Sequence, residues 1–228
     1  MVGIIGAMRA EVEALKAEIT GKKTEVISGI EFISGSLCKK EVVVAQCGIG
    51  KVFAAMCAEI MILKYGVGEI INTGVAGSLC KDLHMLDFAI SDAVVQHDMD
   101  TTAVGDLPGF ISGIDIVEIP ASKRLCECVK RVAGEEGFNA KVGVIASGDQ
   151  FINSATRKTF IHNTFGAVAC EMEGAAIGQV CYVNKVDFVA IRCISDNASG
   201  DTEVEYPQMV REGALKSQKL VEKIVAKL

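Results

Sequence analysis

Residues 170–196 read CEMEGAAIGQVCYVNKVDFVAIRCISD, and the change of period inside this stretch decides the fold. The sequence Glu171-Met172-Glu173-Gly174 opens an apolar helix over 171–184, and a buried strand over 187–194 follows and ends on Ser195-Asp196. A helix returning directly into an apolar strand is the repeating unit of an α/β protein. Both elements carry acids at one end: Glu171 and Glu173 where the helix opens, Asp196 where the strand stops. An ionised carboxylate loses several kcal/mol of solvation on burial. Packing alone does not account for such a cluster, so a polar site is expected here.

The alternation extends outward in both directions. Residues 2–7 predict a buried strand, and residues 8–19 a helix with Val12, Leu15 and Ile19 on one face. Glu11 falls in the first turns of that helix. Strands are expected at 25–28, 31–36 and 41–46, the last two joined as a hairpin across Cys38-Lys39-Lys40. Gly48-Ile49-Gly50-Lys51 then turns into a helix through Lys64. The strand 69–73 runs into Gly74-Val75-Ala76-Gly77-Ser78, a loop whose small residues let backbone N–H groups approach a ligand.

A strand over 86–96, bent at Asp92, leads into an irregular segment through Ile114. A helix at 121–136, a strand at 141–147, a helix at 154–163 and a strand at 167–170 complete the pattern up to the opening stretch. Phe151 and Ile152, in the loop after residue 147, offer an aromatic platform for a planar ligand. The last helix, 204–227, keeps Leu215, Leu220, Ile224 and Val225 on its inner face. Together these elements predict one domain over 1–228, a three-layer α/β/α fold with a mixed, mostly parallel central sheet. Ligands of such sheets gather at the carboxyl ends of strands, where Glu11, Gly77, Phe151, Glu173, Ser195 and Asp196 all fall.

Composition removes several function classes. A formal net charge of −6 disfavours a nucleic-acid or anionic-membrane partner. There is no apolar window of about 18 residues to span a membrane. Nine cysteines with no CxxC pair, and no basic-then-apolar leader before the first strand, point to a reducing cytoplasm. No metal is expected: His84, His97 and His162 lie far apart, and Cys126 and Cys128 diverge on their helix. No cofactor is expected either. Gly3 and Gly6 lack the dinucleotide-binding spacing, and Ala45 and Val52 stand where a Walker A loop needs Gly and Ser or Thr. A small-molecule substrate remains.

Six motifs occur in order along the chain: Gly3-Ile-Ile-Gly-Ala-Met8 with Glu11; Gly48-Ile-Gly-Lys51; Asn72-Thr-Gly74 with Ala76-Gly77; Ser147-Gly-Asp149 with Phe151-Ile152; Glu171-Met-Glu173; and Arg192 with Ile194-Ser-Asp196. In this combination the chain resembles the bacterial 5′-methylthioadenosine/S-adenosylhomocysteine nucleosidases almost end to end. The resemblance implies a nucleoside phosphorylase-like fold, a homodimer, and hydrolysis of the N-glycosidic bond of a purine nucleoside. It implies that Asp196, oriented by Ser195, is the acid at adenine N7 and that Glu11 activates water. Glu173 and the Met172 backbone would hold the ribose hydroxyls, Phe151 would stack on the purine, and the Ile152 backbone would read its edge. Gly77 would lie against the ligand, with Met8, Ile49 and Tyr206 around its 5′ group.

The chemistry asks for the same groups. Breaking a ribosyl–adenine bond builds a cationic sugar and a negative purine, so an acid is needed at the base and anions near the sugar. Two vicinal hydroxyls can donate to one carboxylate. Three departures bear on the substrate: Arg9 where many relatives are acidic, Val75 where several carry Ser, and a shorter 100–108 segment with Val104 in place of an aromatic. A phosphorylase, a 5′-deoxyadenosine or futalosine-type nucleosidase, and a binding module without turnover are the alternatives.

Overall fold

The computed structural model describes residues 1–196 and 206–228, the side chains of 206 and 207 excepted. Apolar alternation along the strands fixes which helices each sheet face receives. In β1 (Val2–Gly6), β4 (Lys40–Gln46) and β5 (Glu69–Ser78), the residues Ile4, Val42, Val44 and Ile71 point to one side, and Ile5, Val43, Ala45 and Ile70 to the other. The second side packs against α2 (Lys51–Tyr65) and α5 (Gly174–Asn184) through Cys57, Met61, Ile177 and Cys181. The first packs against α1 (Arg9–Glu18), α3 (Lys123–Glu135) and α6 (Tyr206–Lys227) through Leu15, Val129, Leu220 and Ile224. This is the expected three-layer arrangement.

The sheet runs β10 (Asp187–Asp196), β6 (Phe88–Gln96), β8 (Ala140–Ser147), β9 (Ala169–Glu171), β5, β1, β4, β3 (Ile30–Leu37), β2 (Thr20–Ile27). Its longest ladders, β5–β10 and β6–β8, are parallel, while β2–β3, β3–β4, β5–β9 and β6–β10 are antiparallel. Because β10 also pairs with β5, the strands β5, β10, β6, β8 and β9 close into a ring. That closure brings 74–78, 170–171 and 194–196 together beside the end of β1.

Several boundaries differ from the sequence reading. Strand β2 begins at Thr20 rather than 25, because an edge strand exposed along nearly its whole length shows no apolar alternation. Residues 74–78 are the end of strand β5, not a loop. Glu171 ends β9, and α5 starts only at Gly174, since the Glu171 carboxylate takes the amides of Glu173 and Gly174 before helical bonding begins. The segment read as irregular holds a single 3-10 turn at Thr102–Val104, and a two-residue strand β7 (Ile119–Pro120) follows it. Asp92 does interrupt its ladder, at a register shift between Ser91 and Ala93.

On α6 the buried stripe is Ala214, Ser217, Gln218, Val221, Ile224 and Val225, with Leu220 beside it. Leu215 stands one position off this stripe and is 54% exposed rather than inward. The expected helix start at 204 lies outside the described residues. Among the described residues no helix is long and apolar enough to cross a membrane, and no group of three or more His, Cys, Asp or Glu could hold a metal ion. All nine cysteines are free.

Helix α5 approaches the sheet closely at Gly178, where a Cβ would meet Val94 Cγ2 at 2.7 Å and the Phe188 ring at 3.1 Å. Val94 is a stiff β-branched residue with no room to retreat. For Gly178→Ala we expect overpacking to outweigh the gain in helix propensity, with a net loss of about 1–2 kcal/mol in denaturant unfolding. A variant as stable as the parent would contradict this packing.

Candidate active site

A cleft of about 550 Å³, counting its open mouth, is lined by Ala7, Met8, Glu11, Ile49, Val75, Ala76, Gly77, Phe151, Cys170, Glu171, Met172, Glu173, Ser195 and Asp196. Of the residues singled out in the sequence, Ile152 is not in this lining. Its side chain packs on the small cluster of Leu79, Val95, Ala146, Ile161 and Phe165 at α4 (Ala155–Phe165). The Tyr206 side chain lies outside the described residues.

Glu11 is placed by the end of β1. Its Oε2 accepts the amides of Ala7 and Met8, both at 2.8 Å, and its Oε1 accepts that of Val75 at 3.1 Å. Burial pushes its acid strength down, raising the pKa above the ordinary glutamate value, while nearby Arg192 and the three amides oppose the rise. Gly74 keeps the space open: a Cβ there would collide with both the Arg192 guanidinium and the Glu11 carboxylate. The small residues of 74–78 thus serve passing side chains as much as a ligand.

Arg192, almost wholly buried on β10, is the centre of the network. Its Nη2 donates to Asn72 Oδ1 and to Glu171, and lies 3.7 Å from Glu173 Oε2; Nη1 donates to the Thr73 carbonyl at 3.4 Å. Glu171 also accepts the Ser147 hydroxyl and the Glu173 and Gly174 amides, so it is tied into structure at the head of α5. Glu173 is the cap residue of α5, and its Oε1 accepts the Gly50 amide at 2.9 Å. Gly50 has φ +100, a conformation that favours glycine. Burial, then the charge of Glu171, push the Glu173 pKa up to about 7, and Arg192 only partly offsets them.

The other end of the cleft is built from β10 and α4. Asp196 follows a register shift in β10 and lies against Gly77, where a Cβ would stand 2.9 Å from its Oδ2. The Ser195 hydroxyl is within 3.5 Å of Asp196 Oδ1. Lys158 Nζ is 2.8 Å from Asp196 Oδ2, with both side chains buried. The sequence reading missed Lys158. The signal was its spacing, three and seven residues before the buried Ile161 and Phe165, which puts an ammonium on the inward stripe of α4. At the mouth, Phe151 and Ile49 are 59% and 56% exposed, with Met8 and Met172 half-buried beside them.

The chain matches the family model described as "Phosphorylase superfamily" over residues 1–226. It is 41% identical to the 5′-methylthioadenosine/S-adenosylhomocysteine nucleosidase of Staphylococcus aureus (strain bovine RF122 / ET3-1), covering 100% of both chains. A Helicobacter pylori MTAN mutant with 5′-methylthioadenosine in its active site superposes with TM-score 0.95 at 37% identity, covering 100% of this chain and 98% of that one. The native futalosine hydrolase of Helicobacter pylori gives TM-score 0.94 at 38% identity, over 100% and 97%.

The raised Glu173 value has a consequence for stability. A carboxylate whose folded pKa lies above its unfolded one binds its proton more tightly in the native state. That contribution is complete below the ordinary glutamate range and is lost as pH rises through about 7. Melting temperatures of the ligand-free protein should therefore fall between pH 5 and pH 8, and Glu173→Gln should flatten part of that fall. An identical slope in the variant would remove Glu173 as its source.

Proposed function

The chain belongs to the phosphorylase superfamily, and from that premise we propose that it hydrolyses the N-glycosidic bond of 5′-methylthioadenosine and S-adenosylhomocysteine, with Asp196 as acid and Glu11 as base. The observation that carries this reading is the charge of the cleft: Glu11, Glu171 and Glu173 surround a single guanidinium at one end, and one ammonium pairs one carboxylate at the other. Net negative charge suits a sugar turning cationic. It repels a phosphate dianion.

Asp196 gives its proton to purine N7 as the C1′–N9 bond breaks and the bonding pair goes to the base. The water oxygen bonds C1′, and its proton goes to Glu11. Glu173 accepts the two ribose hydroxyls, Ser195 orients Asp196, and Gly77 leaves room for the base against Asp196. Phe151 stacks on the purine while the Ile152 backbone meets its edge. Met8, Ile49 and the Met172 side chain make an apolar wall for the thioether. Water rather than phosphate is favoured by Arg9 as well, because this exposed residue pairs with Glu13 on the outer face of α1 and does not line the cleft. The products are adenine and the 5-substituted ribose, as in methionine salvage in the cytoplasm.

Incubation with methylthioadenosine, with and without inorganic phosphate, should give free thioribose in both cases. A sugar 1-phosphate would overturn hydrolysis. Asp196→Asn and Glu11→Gln should each lower kcat by about 10²–10⁴-fold while calorimetry still detects bound nucleoside. Near-parental turnover in either variant would remove that residue from its role.

We also infer a homodimer as the working unit. Helix α2 is apolar nearly all round, which suits a helix covered on both sides, yet Val52, Phe53 and Met56 are exposed next to Val183 of α5. Val104 and Leu107 are exposed as well, at 81% and 68%, and do not line the cleft of their own chain, which suits wall residues lent to a partner. Sedimentation should report a dimer for the parent and a shift toward monomer for Met56→Glu. A monomeric parent would end this inference.

A further inference from the structure

Lys158 has no part in the assignments above, yet it is one of the few charged side chains in the interior, with 3% of its side chain exposed and its ammonium 2.8 Å from Asp196 Oδ2. A buried ion pair is a poor stabilising device, since an apolar pair of similar volume often does as well or better. Helix α4 already presents Ile161 and Phe165 on the same stripe, so an apolar residue at 158 would continue it. The charge calls for another explanation.

Among the described residues, the groups that face Asp196 are few. They are Lys158 from α4, the Cys170 thiol from β9, the Ser195 hydroxyl beside it on β10 and the backbone at Gly77 of β5. Burial pushes the Cys170 thiol up to about 12, so it stays neutral. Arg192 is committed to Glu171 and Glu173 at the sugar end. Lys158 is therefore the cation at the purine end among the described residues.

We propose that Lys158 is a positioning residue for leaving-group protonation, holding Asp196 in place and stabilising the carboxylate that forms when Asp196 yields its proton to the purine. As the C1′–N9 bond breaks, its electron pair moves to the base and the Asp196 proton bonds N7. Negative charge then appears on Asp196, a buried side chain, and the Lys158 ammonium is already beside it. Lys158 keeps its own protons throughout. The ligand-free pairing of Lys158 with Asp196 matches the state that proton transfer leaves behind, so each turnover begins with Asp196 taking a proton from solvent. This inference rests on the reading of Asp196 as the acid.

The test compares two leaving groups on one enzyme: methylthioadenosine, whose adenine needs a proton to depart, and the 5-methylthioriboside of p-nitrophenol, whose phenolate departs without one. For Lys158→Met the ratio of adenine to nitrophenolate kcat should fall by about 100-fold, the scale of general-acid assistance. KM for methylthioadenosine should stay within about three-fold and Lys158→Arg should restore most of the ratio, since it keeps the charge next to the carboxylate. Lys158→Gln gives the same contrast if the Met variant does not fold. A ratio within about three-fold of the parent, the mark of a merely structural role in a reaction where general acids act on the scale above, would overturn the proposal. Asp196→Asn serves as the control. If its ratio falls while that of Lys158→Met does not, only the Lys158 proposal fails; if its ratio is unchanged, the reading of Asp196 fails and takes the proposal with it.

Discussion

The structure depends on one guanidinium taken out of water. Arg192 is 1% exposed on the central strand β10, and Glu171, Glu173, Asn72 and the Thr73 carbonyl converge on it. The planar fork of an arginine can address several oxygens at fixed angles, which a lysine cannot. Removing one partner of a buried pair strands the other charge at a cost of about 3–5 kcal/mol, and here three carboxylates would be stranded together. The requirement propagates outward. It holds β5 small at Gly74, sets the Glu171 turn that delays α5 until Gly174, and thereby aims Glu173 at Gly50 and into the cleft.

One cation among three acids is also what makes the acids useful. A carboxylate fully matched by a guanidinium is a weak base, because its charged form is too well satisfied to take a proton. Glu11 accepts three backbone amides and shares Arg192 with two other acids, and burial still leaves its pKa raised. That balance leaves Glu11 readier to take a proton than an ordinary glutamate without letting it go unpaired. At the far end of the cleft Asp196 has an ammonium of its own. Charge in the cleft is thus divided, with the excess negative charge around Arg192 and a matched pair at Lys158 and Asp196.

Much of this was legible in the chain because it follows from period and from the cost of burying charge. The layers follow from alternation in stretches such as Val42–Ala45, and the site follows from acids placed where strands end. The order of strands was not legible. Closure of β5, β10, β6, β8 and β9 into a ring is a long-range pairing that no local pattern encodes. The exposed strand β2 lacked alternation because it has no buried face. Leu215 was misplaced because in α6 the inward stripe includes polar Ser217 and Gln218, whose partners, the Gly74 carbonyl and the backbone of α1, lie far away in sequence. Lys158 escaped for a related reason: a charged residue on an apolar stripe reads as a surface residue until its buried partner is known.

The buried acids and the apolar mouth of the cleft sit on different parts of the chain. The acids Glu11, Glu173 and Asp196 are buried beside the ends of β1, β5, β9 and β10, whose positions the sheet fixes. The wall at the cleft mouth is made of Met8, Ile49, Met172 and Phe151, flexible or exposed side chains in turns. Met in particular adapts its shape at small energetic cost. Substituting those side chains leaves the Arg192 network in place, whereas a change at Arg192 reaches Glu171, Glu173 and Glu11 together. The departures at Val75 and Val104 belong to this division. Val75 contributes to Glu11 through its backbone amide, which any residue but proline supplies, and Val104 is fully outside the network. Neither side chain takes part in the Arg192 network.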